Sequence, residues 1–217
     1  MVPKMPCIVD RRPLLPWSYN DRMESRSVIV AITGASGAIF GVTVLRMLAT
    51  MPGVHTHLVV SPAGWMNLDH EVALPRAEIE ALAGEVHGFR DVGAAIASGS
   101  FGASAMIVAP CSMRSLAAIA VGLSDNLITR AADVMLKERR RLVLMVRETP
   151  LNLAHLRNMT AVTDMGGVVF PPVPAFYNRP ASLQAMVDDL SRRAIDLLQI
   201  GEPQARQWTG LKSESSR

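Results

Sequence analysis

The chain has 217 residues, 49% of them hydrophobic and only 5% aromatic, with a formal net charge of +3, enough for one domain with a sizeable aliphatic core. No stretch interleaves basic and aromatic residues as a nucleic-acid surface does, and no apolar run approaches the roughly 18 residues that span a bilayer. Cys7 and Cys111 have neither metal-ligand nor redox spacing, so a soluble protein in a reducing, cytoplasmic setting is expected.

Residues 1–26 are interrupted by prolines, follow no helical or alternating period and lack the apolar segment of a secretory signal. They read as an irregular N-terminal extension, with Met23 as the natural start. A single domain is expected over 27–211, followed by a flexible tail over 212–217. Within it, short aliphatic runs at 28–32, 57–60, 105–109, 142–146 and 167–170 are apolar on both faces, as strands between two helical layers must be. Helices are predicted near 38–51, 64–71, 76–84, 113–121, 126–140, 151–163 and 181–199. In the last, Leu183, Met186, Val187, Leu190, Ala194, Leu197 and Leu198 mark one apolar face. Strand and helix in alternation predict a three-layer, doubly wound parallel α/β sheet, Rossmann-like or flavodoxin-like.

Ligands of such sheets bind beyond the carboxyl ends of the strands. The first of these, "TGASGAIFG" from Thr33, opens a helix with backbone N–H groups and the Ser36 hydroxyl suited to a phosphate. It matches neither G-x-G-x-x-G nor T-G-x-x-x-G-x-G. After the second strand stands Ser61 instead of the acid that would hold an adenosine ribose, so a mononucleotide, of which FMN is the commonest, is favoured over NAD; Ser61 also suits a helix cap. In "VAPCSMRSLAAIAVG" Pro110 ends a strand, and Ser112, Arg114 and Ser115 open a helix as a second anion or polar-ring cradle, with Cys111 read as a buried, unreactive thiol.

Further on, Arg130, Val134 and Lys137 fall at i, i+4 and i+7, so the guanidinium and the ammonium share a helix face. Arg147 and Glu148 emerge together at the next strand end, where charges need partners, and Pro150 is expected to start the following helix. "PPVPAFYNRP" makes a stiff loop offering the Tyr177 hydroxyl, and Arg193 lies beside the apolar seam of the last helix. His55 and His57 share a strand face but show no third ligand close by in sequence, and His155 reads as a packing or capping residue, so no metal site is expected.

"ITGASGAIFG", "IASGSF", "APCSMRSLAAIA", "LITRAADVMLKERRRLVLMVRETPL", "HLRNM" and "PPVPAFYNRP" together resemble the UbiX/Pad flavin prenyltransferase family from about Val28 to the "RQWTG" near the C-terminus. The resemblance implies an enzyme that transfers a dimethylallyl group from dimethylallyl phosphate to N5 and C6 of reduced FMN. The product, prenylated FMN, would serve a UbiD-type decarboxylase in ubiquinone biosynthesis or aromatic-acid decarboxylation. It implies flavin contacts at Gly34, Ala35, Ser36, Ser61, Ser112, Met113, Arg114, Ser115 and Arg147, where Arg114-Ser115 replaces a common Lys-Thr. Tyr177 and Arg193 would hold the prenyl phosphate with Arg130, Lys137 and Glu148 nearby, and Glu71 matches a polar active-site position. Ser36, Glu71, Lys137 and Glu148 are the implied catalytic residues, Glu148 or the departed phosphate being the ring-closure base and Ser36 a relay.

The chemistry suits these residue types, because cationic donors stabilise a leaving phosphate while positive charge develops on the allylic carbon. A metal is not needed: Asp188-Asp189 is followed by Leu-Ser-Arg and not by the D-D-x-x-D run of metal-dependent prenyltransferases. The family also implies a homo-oligomer, typically a dodecamer, in which Arg130, Tyr177 and Arg193 complete a neighbour's pocket. Two other readings use the same fold: a decarboxylase of the phosphopantothenoylcysteine type, against which Lys137, Tyr177 and Arg193 argue, and a non-catalytic flavin carrier.

Overall fold

The computed structural model describes residues 26–208 and Gly210. Cys7, Met23, most of the stretch read as an extension and the tail over 212–217 lie outside the described residues. Six parallel strands run in the order β3-β2-β1-β4-β5-β6. They are β1 (Arg26–Ile32), β2 (Val54–Val60), β3 (Glu85–His87), β4 (Ala105–Cys111), β5 (Arg141–Val146) and β6 (Val168–Val169). Seven helices connect them: α1 (Ala38–Ala49), α2 (Pro62–Glu71), α3 (Arg76–Glu80), α4 (Met113–Ala120), α5 (Leu127–Lys137), α6 (Leu153–Asp164) and α7 (Leu183–Asp196). The order reverses between β1 and β4, and this switch point opens the crevice in which such sheets bind ligands.

Side chains alternate across the sheet, which is why the strands are apolar throughout. Val28, Val30 and Ile32 pack with α1, α2 and α7, whereas Ile29 and Ala31 pack with α4, α5 and α6. All five are fully buried, each contributing about 1.5–3 kcal/mol where the side chain is Val or Ile. Five helices start on a side-chain cap that the sequence supplies: Ser61 on α2, Ser112 on α4, Asn126 on α5, Asn152 on α6 and Ser182 on α7. Asn152 and His155 form a reciprocal capping box, the capping role expected of His155.

Several boundaries differ from expectation. Arg26 already pairs with Val54, so β1 begins inside the stretch assigned to the extension. Pro110 sits within β4, which runs on to Cys111 through a shifted register that accommodates the missing N–H. Helix α6 starts at Leu153 and not at Pro150, because Asn152 caps it. Leu183 is 74% exposed although it shares the spacing of the apolar face, and Ile195 takes a place in the core instead. Strand β3 was not expected at all: its three residues pair with His57, Leu58 and Val59 at the sheet edge without forming an aliphatic run.

Helix α1 lies directly on the sheet at Gly41, where an added Cβ would stand 2.4 Å from the Ala109 carbonyl oxygen and 2.6 Å from Ile32 Cδ1. Gly41→Ala therefore destabilises the fold by about 2 kcal/mol despite its better helix propensity. A lowered urea midpoint with an unchanged m-value is the expected readout.

Candidate functional site

The turn after β1 reaches α1 through Gly37, which adopts φ 97° and offers no side chain to cap the helix. No acidic residue stands in the first turn of α1. The orphaned amides are met from another element: Glu71, the last residue of α2, accepts from Gly37 N–H at 2.7 Å and from Ala38 N–H at 2.9 Å. Burial alone would raise the Glu71 carboxyl pKa. Hydrogen bonds from Ala38, the Ser36 side chain and Gly37, with the nearby Arg147 charge, outweigh that and hold it below the ordinary value. Arg147, one residue past β5, donates through Nε to the Ser36 carbonyl at 2.9 Å. Ser36, Glu71 and Arg147 thus form one connected group across the ends of β1, α2 and β5.

Beside it, Thr33 ties β1 to β4. Its hydroxyl donates to the Pro110 carbonyl at 2.8 Å and accepts from Ser112 N–H at 2.8 Å. Ser112 then caps α4, its Oγ accepting from Ser115 N–H at 3.3 Å and donating to Ser115 Oγ at 3.1 Å. The amides of Met113 and Arg114 have no acceptor among the described residues, which leaves the α4 N-terminus open to an acceptor-bearing ligand. Ser61 caps α2, accepting from Gly64 N–H at 2.9 Å. Gly34 faces the start of that helix, and a Cβ there would meet Ala63 Cβ at 2.5 Å. Gly34, Ala35, Ser36, Ser61, Ser112, Met113, Ser115 and Arg147 therefore all stand at or just beyond the carboxyl ends of β1, β2, β4 and β5, around the switch point.

Tyr177 and Arg193 meet in a cleft of about 130 Å³ beyond β6, which Phe170, Met186 and Leu190 floor and Arg206 joins. The Tyr177 ring packs edge-on against Trp208 with centroids 4.9 Å apart, and Arg206 donates to the Asn178 carbonyl at 3.4 Å. Only β4 and β5 separate the ends of β1 and β6, about 14 Å at ordinary strand spacing. Arg147 leaves β5, the strand between β4 and β6.

Four expected members sit elsewhere within the chain. Arg114 is 58% exposed and turned to Asp125, which pairs with it at 2.8 Å. Arg130 donates to the Ala97 carbonyl at 3.1 Å and pairs with Asp133 at 2.9 Å. Lys137 pairs with Glu138 at the end of α5, next to the amino end of β5, so a strand length of about 20 Å lies between it and Arg147. Arg130 and Lys137, two turns apart on α5, keep a shared face, whereas Val134 is fully buried. Glu148 is exposed and accepts from Thr149 N–H at 3.1 Å, so Glu71 and not Glu148 is the carboxylate beside Arg147. That partnership spans distant segments, and no local spacing signals it. The pair His55 and His57 does have a carboxylate beside it, Glu85 of the unforeseen strand β3.

Cys111 is fully buried, and burial pushes its thiol up to about 12, as expected of an unreactive residue. No helix among the described residues is long and apolar enough to cross a membrane.

A protein-family model described as "Flavoprotein" matches residues 16–194. A probable UbiX-like flavin prenyltransferase of Bacillus subtilis (strain 168) is 54% identical over 187 residues, which cover 86% of this chain and 91% of that protein. The crystal structure of AnUbiX (PadA1) in complex with FMN and dimethylallyl pyrophosphate superposes with a TM-score of 0.83 at 47% identity, covering 87% of this chain and 100% of the other. A dodecameric FMN-dependent Ubix-like decarboxylase from Escherichia coli O157:H7 gives a TM-score of 0.81 at 45% identity, covering 85% and 100%.

Two outcomes follow from the geometry. Because the folded-state Glu71 pKa is lowered, its stabilisation is complete above the unfolded value of about 4.3 and is lost as the pH falls through the folded value. Glu71→Ala should then lower stability by about 1 kcal/mol at pH 7 and show a shrinking deficit in urea melts at successively more acidic pH. Iodoacetamide at pH 8 should leave Cys111 unmodified in the folded chain and alkylate it in urea, read by peptide mass.

Proposed function

The chain belongs to the UbiX/Pad family of flavin prenyltransferases and is an FMN-binding enzyme of that type, and we propose that it joins a dimethylallyl group from dimethylallyl phosphate to N5 and C6 of reduced FMN. The observation that supports this reading is that the chain supplies two donor sets, one at the carboxyl ends of β1, β4 and β5 and the other in the Tyr177–Arg193 cleft beside β6 and α7. One set suits an extended polar ring system with a phosphate; the other is a small apolar cleft with a phenol and guanidinium groups.

The residues present fit the flavin. The open amides of Met113 and Arg114 and the hydroxyls of Ser112 and Ser115 offer donors to its acceptor atoms. Gly34 and Ala35 let the ligand approach the backbone, Ser61 fixes the start of α2, and Arg147 braces the Ser36 turn. Reduced FMN, when bound, supplies the nucleophilic ring atoms. Tyr177 and Arg193 hold the prenyl phosphate and stabilise the charge that grows on it as the C–O bond breaks. The apolar floor around Phe170 accommodates the isoprenoid carbons and excludes water.

For the proton leaving flavin C6, the phosphate released in the cleft is the base, and the Ser36 hydroxyl, which donates to Glu71, relays the proton. Within one chain Glu148 faces solvent and Lys137 lies at the far end of α5. We assign Arg130, Lys137 and Glu148 to a site shared between copies, in a homo-oligomer that we take to be a dodecamer. The large apolar side chains left at the surface, Val173, Phe176, Leu153 and Leu156 among them, support such burial. The product would pass to a UbiD-type decarboxylase, and the compartment we assign is the cytoplasm.

Anaerobic incubation of the protein with reduced FMN and dimethylallyl phosphate should yield a flavin whose mass has increased by the prenyl group and whose absorbance has changed. Unchanged flavin would favour a carrier. Arg193→Ala should lower the rate about 100-fold or more while flavin binding persists, and Tyr177→Phe should have a smaller effect. Glu148→Gln should still give ring-closed product; its failure to do so would move the base to Glu148. Light scattering should report a closed assembly, and a monomer at working concentration would overturn the shared site.

A further inference from the structure

The unforeseen strand β3 brings a second cluster of side chains together, away from the flavin crevice. His55 and His57 lie on one face of β2 by alternation, and register places Glu85 of β3 directly beside His57. Two residues further along β3, His87 comes to the same place. His57 Nδ1 stands 3.1 Å from His87 Nε2 and 3.4 Å from a Glu85 carboxylate oxygen, and His87 Nε2 is 3.7 Å from the other oxygen of that carboxylate. One ligand atom from each of His55, His57 and Glu85 falls within 4.8 Å of the others.

These separations have a specific chemical meaning. Metal bonds of about 2.0–2.1 Å from nitrogen or oxygen place the donors of a tetrahedron about 3.3 Å apart, close to the three measured values. The rings are also held in place. His87 stacks on His57 with centroids 5.4 Å apart, Phe101 meets the same ring edge-on at 5.1 Å, and His55 does so at 4.9 Å. The His57 side chain is only 3% exposed, and its Nε2 has no hydrogen-bond partner. The other ring nitrogen, Nδ1, is the one that faces His87 and Glu85.

We propose that this edge of the sheet binds one divalent transition-metal ion of the zinc class through His57 Nδ1, His87 Nε2 and the Glu85 carboxylate, with the exposed His55 at the rim of the cluster. Imidazoles with one carboxylate favour zinc, cobalt or nickel over magnesium and calcium, which take oxygen ligands. Ser61 begins four residues after His57, about 13 Å of strand away, so the ion lies outside the flavin crevice. Its role is structural: it fastens the three-residue β3 to β2, where few ladder bonds do so.

The experiment uses the untagged full chain, stripped with a chelator and dialysed against micromolar Zn²⁺, with metal content and melting temperature as readouts. One zinc per chain and a saturable rise in melting temperature are expected, with no such rise from Mg²⁺. Glu85→Gln and His87→Gln should each weaken zinc binding about tenfold or more, while His70→Gln leaves it unchanged. Co²⁺ in place of Zn²⁺ should give the visible absorption of a tetrahedral site in the wild type and lose it in Glu85→Gln. Flavin prenylation by the folded Glu85→Gln protein should proceed at the wild-type rate. Absence of stoichiometric zinc from the wild type, or zinc binding undiminished in a variant carrying both Glu85→Gln and His87→Gln, would overturn the proposal.

Discussion

A carboxylate seated on a helix that cannot cap itself organises the carboxyl edge of the sheet. Helix α1 starts from a glycine, and the nearest anion in sequence lies far away. Glu71 reaches across from the end of α2 to take two of its amides, and Arg147 grips the carbonyl of the preceding residue. One turn of backbone is thereby fixed from two sides by opposite charges. The positive end of α1 is neutralised from within the protein, whereas the N-terminus of α4 keeps amides free for something else. The crevice is polarised accordingly, with its donors on the β4 side and its built-in acceptor on the β1 side.

This division explains why the glycine-rich turn and the serine-rich turn play different parts despite their similar look. The first is a rigid, braced wall. The second offers unused hydrogen-bonding capacity. Thr33 couples them, because its hydroxyl accepts from the amide that opens the second turn and donates to the strand leading into it. A displacement of either turn would be felt by the other through a single buried oxygen.

Much of the architecture was legible because both faces of β1, β2, β4 and β5 are covered, so the requirement for burial leaves aliphatic runs that no helix period mimics. Strand β3 escaped because an edge strand of Glu, Val and His meets no such requirement. The residues assigned to the flavin follow strand ends, a position set by topology alone. Partnerships were harder to read. Adjacency suggested Arg147 with Glu148, yet successive residues leaving a strand diverge, and the carboxylate that meets Arg147 comes from 76 positions earlier in the sequence. Arg114 was drawn outward by Asp125 in the next loop, and Lys137 was separated from the cleft by the antiparallel run of α5 against the sheet. Helical spacing specifies a face, but it does not specify which end of a domain that face occupies.

Both borders of the sheet are very short, three residues at β3 and two at β6. A border that brief exposes few unpaired peptide groups, so it gives little purchase to a strand from another molecule. Copies of this chain can therefore crowd together through side-chain surfaces without their sheets merging into a continuous fibrillar ribbon, and self-association is steered away from amyloid-like stacking.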